Sequence, residues 1–208
     1  LMKKAEFSVV GVFMKPPSYA QGSGGHKGDC NWKQDREDAL RVAAKLDIPL
    51  LTWDLSKEYE KYVARYMIDG YKNGITPNPD VMCNKFIKFG FFMEKALKMG
   101  ADYIATGHYV RIKQRRGPVS PEAIPASHEP SPGHPHSVQF ANLRSMGDPQ
   151  SGHPFVLYRA KDVNKDQSYF LYTLNQKQLS RCLFPIGDYK KDEVRKLAKK
   201  FGLPNWDK

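Results

Sequence analysis

Two kinds of hydrophobic pattern alternate along this chain. Short apolar runs occur at Ser8–Met14, Leu50–Leu55 and Ala101–Thr106, and polar, Gly or Pro residues bound each of them. Runs of this length predict buried β-strands. Between them, apolar residues recur at i, i+3, i+4 and i+7, the spacing of one face of a helix.

The helical spacing predicts four helices, each with a recognisable start or stop signal. Their expected limits are Asp35–Leu46, Ser56 (as N-cap) to Gly70, Cys83–Lys98 before Gly100, and Lys190–Phe201 with Gly202 as C-cap. A further helical stretch is expected at Leu179–Phe184, which would place Cys182 in a helix.

Apolar strands separated by helices predict an α/β fold with a parallel sheet covered on both faces. Ligands of such folds bind beyond the carboxyl ends of the strands. We therefore expect Met14, the loop after Leu55, and Gly107-His108 to lie on one rim of the sheet.

The chain divides into three predicted regions. Residues 1–112 carry the α/β pattern, and residues 156–208 begin a further ordered region. Residues 113–155 contain eight prolines scattered among Ser, Gly and His, and the lack of periodicity predicts a mobile insertion. Its histidines are irregularly spaced, so no metal site is predicted from them: His128, His134, His136 and His153.

Composition narrows the function classes. Lys and Arg number 33 against 22 acids in 208 residues, and this net charge of +11 suits RNA or DNA as a partner, although a solvated basic surface would look the same. No apolar run reaches the ~18 residues of a membrane span, and no secretory signal is present, so a cytoplasmic or organellar protein is expected. Three cysteines indicate a reducing compartment rather than a disulfide framework.

One of these cysteines, Cys83, lies just after a stiff loop in the segment Thr76–Lys85. Pro77 and Pro79 restrict the loop, and Asp80 is expected to cap the helix that follows. A thiol in a first helical turn lies near the positive end of the helix dipole, with Lys85 and Lys88 close by. These features favour the nucleophilic thiolate, while the alternative is a buried, unreactive cysteine behind a turn.

Seven sequence blocks stand out in order along the chain: Gly11–Lys15, Asp35–Ala39, Thr76–Lys85, Ile87–Gly90, Ala105–Tyr109, Lys165–Leu171 and Leu183–Gly187. In this order they closely resemble the blocks of the tRNA-specific 2-thiouridylases of the bacterial MnmA type. The resemblance implies an adenine-nucleotide α-hydrolase-like (PP-loop ATPase) domain in residues 1–112, followed by a mostly helical tRNA-binding region.

The resemblance also implies a reaction. In the family, ATP, with Mg²⁺ expected, adenylates O2 of the wobble uridine of tRNAs for Lys, Glu and Gln. Persulfide sulfur, supplied by a sulfur-relay protein or cysteine desulfurase, then reaches C2 and AMP leaves. The matching positions are Cys83 as a catalytic cysteine, Asn78, Pro79 and Asp80 as contacts of the target base, Lys165, Asp166 and Gln167 as tRNA contacts, and Met14 and Gly107 as contacts of ATP.

Two motifs of the family are not found here, Ser-Gly-Gly-x-Asp-Ser and Gly-x-Cys-Phe. Ser23-Gly24-Gly25 is only a lookalike of the first, because no apolar strand precedes it. The 208 residues alone are therefore expected not to thiolate tRNA. Two other hypotheses are a non-catalytic tRNA-binding remnant and an unrelated thiol enzyme that acts through Cys83 by itself.

Overall fold

Strands and helices alternate along the part of the chain that the computed structural model describes, residues 1–16, 32–114 and 155–207. The strands are β1 (Gly11–Lys15), β2 (Leu50–Asp54), β3 (Ile104–Ala105), β4 (Val110–Gln114), β5 (Phe155–Arg159) and β6 (Cys182–Leu183). The helices are α1 (Trp32–Leu46), α2 (56–72), α3 (79–98), α4 (Gln176–Leu179) and α5 (Lys191–Lys200). Short 3-10 turns occur at Lys3–Ala5 and Ser168–Phe170.

Two parallel strand pairs confirm the predicted α/β class. β1 pairs with β2, with Gly11 opposite Leu50, and β3 pairs with β6, with Ile104 opposite Cys182. The second pair corrects two predictions. The strand expected at 101–106 is reduced to two residues, and Cys182 lies in a strand rather than a helix because its segment completes the edge of β3.

The third pair, β4 with β5, is antiparallel and joins the two sides of the predicted insertion. Lys113, Gln114 and Phe155 belong to these strands. The rest of the 113–155 insertion lies outside the described residues, as do its four histidines, Cys30 and the Ser23-Gly24-Gly25 lookalike.

Helix ends follow the signals in the sequence at their C-termini more closely than at their N-termini. Gly74, Gly100 and Gly202 each adopt positive φ, and backbone bonds such as Ile75 N–H to Gly70 O close the last turn. At the N-termini, two predicted caps are wrong. The side chain of Asn78, not Asp80, accepts the Val81 N–H, and Asp54 rather than Ser56 supplies the side-chain acceptor at the start of α2.

In the described residues, the larger hydrophobic cluster joins the parts of the chain on either side of the insertion. Residues before and after the insertion contribute to it together: Trp53, Phe89, Met93, Ala96, Ile104, Val110, Leu171, Leu174, Leu179, Cys182 and Phe184. The predicted division at residues 112 and 156 therefore does not coincide with a division of the core.

Among the described residues, no helix is both long enough and apolar enough to cross a bilayer.

Gly187 provides a test of this packing, because a β-carbon at that position would clash with the carbonyl oxygen of Val110 at the start of β4. We expect Gly187→Ala to lower the free energy of unfolding by about 3 kcal/mol, since backbone must move to relieve the overlap. Denaturant unfolding measures this change. Gly107→Ala is the matched control, because nothing lies within 4 Å of its added methyl group. Equal losses in the two variants would contradict the close approach.

Candidate active site

An open cleft of about 410 Å³ lies at the carboxyl ends of β1 and β3. Its lining comes from these strands, from α3 and from one later loop: Val12, Met14, Lys88, Phe92, Ala105, Thr106, Gly107, His108 and Gln167. The sequence-based expectation of a shared rim is thus confirmed for Met14 and Gly107-His108, whereas the loop after Leu55 does not line this cleft. Their roles toward a nucleotide stay predictions.

Gly107 leaves the floor of the cleft open. It is exposed, and no atom lies within 4 Å of the position that a β-carbon would take. A ligand can therefore approach the backbone at this turn closely, which fits the expected contact with ATP.

His108 is held by a buried polar network. Its Nδ1 lies 2.9 Å from Thr106 Oγ1, and its Nε2 lies 3.2 Å from Asn84 Oδ1. The Asn84 side-chain amide donates to Phe170 O at 3.4 Å, which orients Oδ1 as the acceptor. This assigns the imidazole proton to Nε2 and leaves Nδ1 to accept from the Thr106 hydroxyl.

Burial lowers the pKa of His108 to about 4, and the positive charge of Lys88 adds to this effect. The imidazole is therefore neutral near pH 7, and both of its nitrogens are occupied within the protein. His108 orients the turn at Gly107 rather than exchanging protons with a ligand.

Of the three residues 165–167 that are predicted to contact tRNA, one is exposed at the surface and two form hydrogen bonds that hold the local backbone. Lys165 is exposed. The side chain of Asp166 is only 9% exposed, accepts the Ala160 N–H and the Ser168 hydroxyl, and lies 3.8 Å from Arg159 Nε. Gln167 exchanges two hydrogen bonds with the backbone of Tyr109 and reaches the cleft. The structure thus joins this segment to the Gly107-His108 turn.

The predicted target-base loop forms the start of α3. The side-chain oxygen of Asn78 accepts a hydrogen bond from the Val81 N–H, and Pro79 is the first residue of the helix. Asp80 is exposed and stands three residues before Cys83, so both side chains lie on one face of the helix.

Cys83 begins the π-helical part of α3, Cys83–Phe92. It packs against the small apolar cluster of Leu55, Val63 and Ile87, which Met14 also contacts. Burial raises the pKa of the thiol, Asp80 raises it further, and Lys88 opposes both. The expectation of a thiolate favoured by the helix start is therefore wrong in this state, because desolvation outweighs the helix dipole and the nearby lysine.

Cys182 differs in environment from Cys83. It is buried in the core, its Sγ donates to Gln178 O at 3.0 Å, and burial raises its pKa to about 12. This is the environment of an unreactive structural cysteine.

Sequence reasoning missed that Asn84 and Lys88 belong to the site. Both are polar residues of the largely apolar segment Cys83–Phe92, spaced by four residues, and Phe92 continues the same spacing into the cleft. That spacing along one side of the helix was the available signal. Among the described residues, no three His, Cys, Asp or Glu side chains gather as a metal-binding group.

The neutral His108 predicts a pH-dependent stability. Its pKa is near 6.5 when unfolded and about 4 when folded, so between these values only the unfolded chain binds the proton. The stability it contributes is complete above pH 6.5 and falls as pH is lowered, by about 2 kcal/mol at pH 4.5. Chemical unfolding at pH 7 and pH 4.5 measures it. His108→Gln removes the titrating group, so the variant should lose about 2 kcal/mol less free energy of unfolding between pH 7 and pH 4.5 than the unaltered protein does. Equal losses in the two proteins would contradict the buried neutral state.

Comparison with known proteins supports the resemblance. The family model described as tRNA methyl transferase HUP domain matches residues 1–208. A tRNA-specific 2-thiouridylase MnmA of Christiangramia forsetii is 40% identical over 208 residues, 100% of this chain and 44% of the relative. MnmA of Akkermansia muciniphila is 40% identical over 204 residues, 98% of this chain and 46% of the relative. MnmA of Bacillus velezensis is 38% identical over 203 residues, which are 98% of this chain and 44% of the relative.

The chain thus spans less than half the length of these relatives. The match to the domain model extends through residues 156–208, so the helical tRNA-binding region that the resemblance placed there is not covered by this chain. The parallel strands and the helices around them agree with a PP-loop ATPase-like HUP domain. The chain belongs to the tRNA methyl transferase HUP-domain family.

Proposed function

We propose that this chain provides the nucleotide-binding and thiol-bearing part of an enzyme that 2-thiolates the wobble uridine of tRNA with ATP. The observation that carries the proposal is that one helix, α3, bears Cys83 in its second turn and lines the cleft with Lys88 and Phe92. The relatives named as tRNA-specific 2-thiouridylases support the reaction class.

ATP fits the cleft as a substrate. The cleft volume of about 410 Å³ lies within the range of small-molecule sites. Met14 supplies apolar contact, Gly107 an open backbone, and Lys88 a positive charge. No acidic side chain lines the described cleft, so Mg²⁺ would enter on the phosphates with water as its other ligands.

The expected chemistry assigns the transfer of sulfur to Cys83. Uridine O2 attacks the α-phosphorus of ATP and pyrophosphate leaves; sulfur then bonds to C2 as the C2–O bond to AMP breaks. By resemblance, the Cys83 thiolate attacks the inner sulfur of a persulfide on a second cysteine; a disulfide forms between the two cysteines, the S–S bond of the persulfide breaks, and hydrosulfide leaves to attack C2. Burial raises the pKa of this thiol, so loss of water around Cys83 opposes the formation of the attacking thiolate.

The proposed partner is tRNA. The choice of the isoacceptors for Lys, Glu and Gln, and of a persulfide donor protein, rests on the resemblance alone. The net charge of +11 suits a polyanion. Near Lys165, the rings of Tyr169 and Tyr172 are 60% and 72% exposed and offer faces on which unpaired bases could stack. Asp80, exposed on the face of Cys83, would meet the target base.

Replacement of Cys83 tests the reaction. In a bacterial strain that lacks its own 2-thiouridylase, expression of the full-length protein should restore 2-thiouridine in tRNA, and Cys83→Ala should remove at least 99% of it because the nucleophile is lost (roughly 10²-fold or more). Mass spectrometry of digested tRNA measures this. Cys182→Ala is the control, with thermal unfolding to check its fold. Retained thiolation in Cys83→Ala would contradict the proposed role.

Lys165 tests the tRNA contact separately from catalysis. Lys165→Ala should weaken tRNA binding and reduce the slope of log K against log salt by about 0.7 to 0.9, the effect of one lost phosphate contact. Filter binding across salt concentrations measures the slope. Lys177→Ala removes an exposed lysine from α4 and should leave the slope unchanged. Tight tRNA binding without thiolation by any variant would favour the non-catalytic alternative.

A further inference from the structure

Lys88 is the one cationic side chain that lines the described cleft. It is half-buried on α3, and its neighbours around the cleft are apolar or neutral: Val12, Met14, Phe92, Thr106, His108 and Gln167. A positive charge in such surroundings attracts a negatively charged ligand group.

No acidic side chain of the described residues neutralises Lys88. The ion pairs in this part of the chain involve other lysines and arginines throughout. Among the described residues, no carboxylate offsets the charge of this half-buried lysine, so its ammonium contributes no ion pair to folding. An unpaired cation that faces a cleft is therefore better explained by a ligand than by stability.

Several of the other polar groups of the cleft are already engaged. Both ring nitrogens of His108 are engaged by Thr106 and Asn84, and the Gln167 oxygen accepts the Tyr109 N–H. This leaves the Lys88 ammonium as the strongest free donor toward a phosphate.

Lys88 lines the cleft five residues after Cys83, and the cluster that Cys83 packs against includes the cleft residues Met14 and Phe92. The charge of Lys88 acts on both His108 and the Cys83 thiol. The π-helical turns of Cys83–Phe92 explain this position. In an α-helix, residues five apart point about 140° away from each other, whereas i→i+5 bonding stacks them on neighbouring faces.

We propose that the Lys88 ammonium binds the α-phosphate of the adenine nucleotide on the side of the cleft that faces Cys83. This inference rests on the proposed function and adds a phosphate-binding residue to it. It would place the phosphate of the adenylated uridine next to the Cys83 thiol, which is proposed to release the sulfur for C2.

The test compares AMP with adenosine, which differ only in the phosphate. In the full-length protein, Lys88→Gln should weaken AMP binding at least 10-fold and leave adenosine binding unchanged, because a charge-assisted hydrogen bond is lost. Lys88→Arg should recover most of the AMP affinity. Isothermal titration calorimetry measures both ligands. Lys85→Gln is the matched control, because this exposed lysine of the same helix stands over the Phe86 ring instead.

Two further readouts separate this role from a structural one. The pH midpoint of Cys83 alkylation by iodoacetamide should rise in Lys88→Gln and not in Lys85→Gln. Thermal stability of Lys88→Gln should be equal or higher, since an unpaired charge is removed. An unchanged ratio of AMP to adenosine affinity in Lys88→Gln would overturn the inference even if Cys83→Ala abolishes thiolation. Absence of AMP binding by the unaltered protein would overturn the inference together with the nucleotide site.

Discussion

The hydrogen bond between Asn84 and His108 connects the parts of the chain that form the cleft. Asn84, only 2% exposed, extends from α3 to the imidazole on the β3–β4 turn and to the backbone of Phe170 in a segment 86 residues further on. An unsatisfied amide at this depth would cost about 1–3 kcal/mol. The cleft thus keeps its shape because α3, the turn and the later loop must meet here for each polar group to find a partner.

Much of the framework follows from local sequence rules. Positive-φ glycines end α2, α3 and α5 where expected, and the apolar runs at β1 and β2 pair in parallel. Patterns with short range succeeded because the physical cause, a backbone conformation or a buried strand, is itself local. β6 could not be predicted in this way, since two residues become a strand only when β3 offers its edge.

The candidate site was predictable in position but not in electrostatics. The rule that ligands bind at strand ends brought Met14 and Gly107 together correctly. The lysines along the helix are visible in the sequence, but the loss of water around Cys83 against Leu55, Val63 and Ile87 is not. That loss decides the sign of the change in the pKa of Cys83. Desolvation depends on what packs against a group from distant parts of the chain, so sequence neighbours cannot supply it.

The pairing of β3 with β6 has a consequence for folding order. Ile104 pairs with Cys182, so the strand that leads into the Gly107-His108 turn gains its partner only after 78 further residues have been made. Contacts of such separation fold slowly, because a long loop must close before they form. During synthesis on the ribosome, the edge of β3 therefore stays unpaired until β6 has been made. An unpaired strand edge favours aggregation, so the nascent chain needs protection during this interval.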